Sequence, residues 1–63
     1  MLQITDLHHN KHIINLANLN NVVIRDNNGT NVVTFHMAHQ HAVPVTVDKT
    51  TLARIFQVLG EHQ

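Results

Sequence analysis

Val22-Val23-Ile24-Arg25-Asp26-Asn27-Asn28-Gly29-Thr30-Asn31-Val32-Val33-Thr34-Phe35 reads as two strands folded about an Asn-Gly turn. Asn28-Gly29 supplies the two positive φ angles of a type I′ turn, and the β-branched flanks favour a pleated backbone. Side chains alternate between faces along a strand, so a two- or four-residue loop pairs Ile24 with Val33 and Val22 with Phe35. Those four residues then share one face, and Val23, Arg25, Val32 and Thr34 share the other. The stretch fixes a fold class and carries no chemistry of its own.

Toward the C-terminus, Phe35-His36-Met37 runs through Ala38-His39-Gln40-His41 into Ala42-Val43-Pro44-Val45-Thr46-Val47, where Val43, Val45 and Val47 alternate. Keeping Phe35 and Met37 on the face of those valines needs an odd loop or a bulge near His39-Gln40-His41. With no Gly there, one of these polar residues has to take a positive φ. Pro44 lacks a ladder donor, which puts its strand at a sheet edge or turns that position outward. Asp48 then caps a helix starting near Lys49, and Gly60 stands where a C′ residue would. Leu52, Ile55, Phe56 and Leu59 recur at i, i+3, i+4 and i+7 as one apolar stripe, opposite Thr50, Arg54, Gln57 and Glu61.

Toward the N-terminus the pattern is weaker. Leu2 to Thr5 alternates as a short first strand, and His8-His9-Asn10-Lys11 is a polar break. His12 to Leu16 is a second strand, with Ile14 and Leu16 on one face and Ile13 on the other. Ala17 to Asn21 fits a helical turn or a bend, and its asparagines favour the bend.

These elements give an α+β fold: residues 1–63 as a single compact domain, an antiparallel meander of four to five strands with one C-terminal helix packed on one face. The expected core is Ile4, Ile14, Leu16, Val22, Ile24, Val33, Phe35, Met37, Val43, Val45 and Val47 under Leu52, Ile55, Phe56 and Leu59. The opposite face then carries Ile13, Val23 and Val32 beside Arg25, Thr34 and His36. No second helix exists to cover it, so these six residues form the candidate interface.

Composition narrows the function classes. Without cysteine there is no disulfide framework and no thiolate zinc site. A chain of this size buries only about 60% of its unfolded surface, so stability comes from packing, shared in part with a second copy. Four Lys and Arg balance four Asp and Glu. Lys11, Arg25, Lys49 and Arg54 are scattered, which argues against a nucleic-acid partner. Near-zero charge removes the repulsion that keeps small proteins apart and favours a homo-oligomer, a dimer first. From Met1 there is neither a basic n-region nor an apolar h-region, and no apolar run approaches the ~20 residues of a membrane span. The expectation is a cytoplasmic protein with no membrane association.

The polar residues are biased toward seven His, eight Asn and four Gln. A lineage preference accounts for this, as does a surface whose charge responds to mild acid. His36-x-x-His39-x-His41 has ligand-like spacing, and His8, His9, His12 or a symmetry mate could complete a metal site. No Cys, Asp or Glu lies in the segment, so these are read first as polar loop residues, with no cofactor expected. Catalysis has less to work with: Ser and Cys are absent, and no glycine-rich strained turn presents a threonine. Asp6, Asp26, Asp48 and Glu61 have solvated, turn or cap roles, so no carboxylate pair is singled out for acid-base work. Neither Walker nor dinucleotide glycine patterns occur.

Val43-Pro44-Val45-Thr46-Val47-Asp48 leading into Leu52 to Leu59 loosely resembles, in layout and not in motif, the end of the positive-coactivator family. The resemblance spans about the last two thirds of the chain. It implies a sheet-plus-helix dimer that binds single-stranded DNA. The sequence departs from that pattern, because Phe35 and Phe56 are expected in the core and the sheet lacks basic and stacking residues. The leading expectation is a small non-enzymatic interaction module. It self-associates through the helix-free sheet face or an edge strand and presents His/Asn loops to a protein partner. Single-stranded nucleic-acid binding and His-mediated metal binding are the alternatives. Size and neutrality suit an accessory or inhibitor protein of a bacterium or phage.

Overall fold

The structure, a computed structural model, describes residues 1–62. In chain order it contains β1 (Leu2–Thr5), β2 (Lys11–Ile14), β3 (Leu19–Asn27), β4 (Thr30–Met37), β5 (Ala42–Val47) and α1 (Lys49–His62). All strand pairings are antiparallel. The fold is α+β, as the alternation and the helical stripe imply.

The central hairpin has the expected two-residue turn. Asn28 and Gly29 adopt φ of 51° and 87°, and Thr30 Oγ1 donates to Asn27 O at 2.8 Å. Ile24 faces Val33 and Val22 faces Phe35. At the far end of β3 the register shifts between Leu19 and Asn21, which increases local twist. The β4–β5 loop is odd, since His36 pairs with Ala42 and Met37 N–H donates to His41 O at 2.7 Å. Two residues rather than one take the left-handed conformation there, His39 at φ 64° and Gln40 at φ 66°. Pro44 sits on an edge strand, as its missing donor requires.

The meander, however, is not one sheet. β1 and β2 form a two-stranded ribbon, and β3-β4-β5 form a separate three-stranded sheet. Between them Leu16–Asn18 makes a 3₁₀ turn in place of the expected strand end, with Asn15 Oδ1 accepting from Ala17 N–H at 3.1 Å. A helical turn, not the bend its asparagines favour, thus opens the Ala17–Asn21 segment, and Leu19–Asn21 already belong to β3; the turn redirects the chain, so β2 does not pair with β3. Leu2, Ile4, Ile14 and Leu16 from the ribbon side meet Val33, Phe35, Val45 and Val47 from the sheet and Ile55 from the helix in one buried core.

Asp48 caps α1, with its Oδ1 accepting from Thr51 N–H at 2.8 Å. That bond holds the Asp48 carboxyl below the usual carboxylate range. Gly60 does not end the helix, which continues to His62. The buried arc also differs from the expected stripe. Ile55 is fully buried, Leu52, Val58 and Leu59 pack against the core, and Phe56 is 56% exposed. Val58 and Phe56 flank the Leu52-Ile55-Leu59 row on opposite sides, so either could complete it. Contact with the ribbon decides in favour of Val58: α1 packs on β1 as well as β4, and Arg54 Nη2 donates to Gln3 O.

Candidate interaction surface

One face of the three-stranded sheet is turned toward the core, and the other has no layer over it among the described residues. Val23 and Arg25 from β3 and Val32, Thr34 and His36 from β4 share this open face. The register makes Val23 a neighbour of Thr34 and Arg25 a neighbour of Val32, and sets His36 beside Asn21. β5 adds Ala42, Pro44 and Thr46 opposite His36, Thr34 and Val32. Val23 is 43% exposed, while Val32, Thr34 and His36 are half-buried by their neighbours in the sheet.

Five of the six candidate interface residues therefore come together, and Ile13 does not. It lies on β2, opposite Gln3 in the ribbon, and is 68% exposed. Its assignment to the same face assumed one continuous sheet, and the 3₁₀ turn after β2 removes that assumption. The strand pattern missed Ile24, which was expected in the core and is 36% exposed. Ile24 sits on the inner side of β3, but α1 packs on β4 and β1 and leaves that margin thinly covered. Its position beside Arg25-Asp26 at the polar end of the strand is the signal that could have flagged it.

The two edges of the sheet differ. β3 is the outermost strand on one side and runs for nine residues. In a two-residue hairpin the pair flanking the turn exchanges hydrogen bonds, and bonding then alternates along the ladder. With Asn27 paired to Thr30, the groups of Val23 and Arg25 point at β4. Those of Val22, Ile24 and Asp26 point away from the sheet. β5, the opposite edge, is blunted twice: Pro44 has no donor, and Thr46 O accepts from Leu7 N–H at 2.9 Å.

Leu7 is held by the turn that joins β1 to β2. Asp6 organises this turn through its Oδ1, which accepts from His8 N–H at 2.8 Å and Asn10 N–H at 2.9 Å. Its Oδ2 lies 2.8 Å from His12 Nε2. The side chain is only 8% exposed, so Asp6 is a structural brace and not the solvated acid its sequence context allows. The His12 hydrogen bond, ahead of those from the backbone, lowers its pKa to about 2.

The histidines are dispersed. His36 is on the open sheet face, His39 and His41 are exposed in the β4–β5 loop, and His8 and His9 lie in the β1–β2 turn. Among the described residues no three His, Cys, Asp or Glu side chains converge on a point that could hold a metal ion. No helix among the described residues is long and apolar enough to cross a membrane. Comparisons with family models, with curated proteins and with solved structures found no match to this chain.

Proposed function

We propose that this chain is a small non-enzymatic interaction module of the cytoplasm that associates with a second copy of itself through its three-stranded sheet. The observation that carries the reading is the incomplete cover of that sheet. One face is open, and one edge exposes apolar side chains next to unpaired backbone groups, at Val23 and Ile24. The zero formal charge supports it, because nothing opposes the approach of an identical molecule. The non-enzymatic side rests on how the carboxylates are used: Asp6 braces a turn and Asp48 caps a helix. A core that relies on packing, in a chain without cysteine, supports the cytoplasmic reading. The His/Asn loops at His8-His9-Asn10 and His39-Gln40-His41 are exposed and are the parts offered to a protein partner.

Single-stranded nucleic-acid binding is less well supported, because the open face carries one permanent cation, Arg25, and no Phe, Tyr or Trp ring. Phe35 is in the core and Phe56 is on the helix. The test is molar mass by light scattering from ~10 µM to ~1 mM, a range suited to a weak dimer. The expected result is a rise from monomer toward dimer mass. A monomer throughout that range would remove the self-association reading.

A further inference from the structure

Resting on the self-association reading, we infer that the second copy docks on the free edge of β3, antiparallel and centred on Val23, so that two three-stranded sheets join into one of six strands. Of the open face, only its β3 margin at Val23 and Arg25 takes part. Three observations select this edge and this register.

The first is the contrast between edges. β5 lacks a donor at Pro44 and has its Thr46 carbonyl occupied by Leu7. β3 offers unopposed donors and acceptors at Val22, Ile24 and Asp26, and a bare edge of this kind is a template for another strand. The second is where the exposed apolar residues fall. Val23 and Ile24 are among the large hydrophobic residues left exposed in the molecule, and both lie at the middle of β3 beside half-buried Val22.

The third is self-complementarity. A two-fold axis perpendicular to a joined sheet keeps each residue on its own face, so paired residue numbers must differ by an even number. Centring on Val23 places Ile24 opposite Val22 of the second copy, and Val22 opposite its Ile24. Each of these pairs exchanges two backbone hydrogen bonds, and all four side chains lie on the inner face, where they extend the core. Val23 then faces its own counterpart on the outer face in a non-hydrogen-bonded pair, the closer type. Arg25 faces Asn21, so no like charges oppose one another. Centring on Ile24 instead sets Val22 against Asp26, and centring on Arg25 sets two guanidinium groups together. A second copy of this strand therefore fits the edge in one register best.

The ladder is short, about five residues or ~17 Å, so the dimer is a weak one that forms at high concentration. Two variants test it. Ile24→Pro removes an outward donor in each copy and leaves the bonds to β4 in place. It is expected to weaken dimerisation about thirtyfold in sedimentation equilibrium. Val23→Cys introduces the only thiol of the chain at the symmetry axis, where the Cα separation of about 4.5 Å suits a disulfide. Mild oxidation is expected to give a covalent dimer that dithiothreitol reverses, while Val32→Cys on the open face stays monomeric under the same treatment. If Ile24→Pro does not fold, the cysteine pair decides alone. A wild-type dimer that cross-links through Val32→Cys and not Val23→Cys overturns the edge docking and leaves self-association standing. A monomeric wild type at ~1 mM overturns both.

Discussion

Ile55 and Phe56 are adjacent on α1, and the structure assigns them opposite fates: Ile55 is fully buried and Phe56 is 56% exposed. Truncating each to alanine measures the rotation of the helix. Ile55→Ala deletes buried carbons between sheet and ribbon, a change that costs about 2–5 kcal/mol in well-packed sites. A chain of this size has a total stability of about 3–9 kcal/mol at ~0.05–0.15 kcal/mol per residue. Ile55→Ala therefore removes much of the stability, and the milder Ile55→Val, at about 1 kcal/mol, gives a measurable point on the same scale. Phe56 has less than half its surface covered, worth about 1 kcal/mol of burial. Alanine recovers about 0.5 kcal/mol of helix propensity, which leaves a net cost of about 0.5 kcal/mol. With neither Trp nor Tyr in the chain, the assay is urea unfolding followed by far-ultraviolet circular dichroism. Low protein concentration keeps any dimer from adding to the apparent stability. If Phe56→Ala costs more than ~2 kcal/mol, or more than Ile55→Ala, the helix faces the core as the i, i+3, i+4, i+7 stripe proposes and the described packing is wrong.

Other perturbations reach the remaining elements. Gly29→Ala meets no neighbouring atom but must hold φ near 87°, so it should destabilise by about 1 kcal/mol in the same urea assay. Asp48→Ala removes the acceptor for Thr51 N–H and should cost about 1 kcal/mol, with Asp48→Asn retaining most of it; equal losses would refute capping. Asp6 binds its proton less readily folded than unfolded, so the unfolded chain takes up more protons as pH falls from 3.8 toward about 2. Stability is thus fully present above that window and declines through it, and Asp6→Asn should flatten that part of a melting-temperature profile. An unchanged acid limb in Asp6→Asn would show that the brace contributes nothing.

The elements legible in the sequence are those whose signal is local. Asn28-Gly29 specifies its own turn, and the register of β3 with β4 follows by counting outward from it. Asp48 marks the start of α1 for the same reason. Partner choice between strands is not local. Ile13 alternates correctly with Ile14, yet nothing in that short run says whether β2 lies beside β3 or beside β1 alone. The end of α1 was obscured because a glycine is tolerated in the last turn of a helix at modest cost. Its rotation was obscured because Val58 and Phe56 complete the apolar arc equally well until the ribbon is in place. Of the six candidate residues, those of β3 and β4 share one face because the hairpin register governs them. Ile24 was missed because alternation reports which side a residue faces and not how far the covering layer extends.

The bond from Leu7 N–H to Thr46 O gives the molecule a property beyond holding the ribbon in place. A sheet with two receptive edges is bivalent and adds copies indefinitely into a fibre, whereas a sheet with one is univalent and stops at a closed pair. Pro44 and the Leu7 amide blunt β5 and leave β3 as the receptive edge of this sheet. If copies pair through β3 as proposed, the turn braced by Asp6 guards the opposite edge, and loosening it is expected to free the Thr46 carbonyl while Pro44 still withholds a donor.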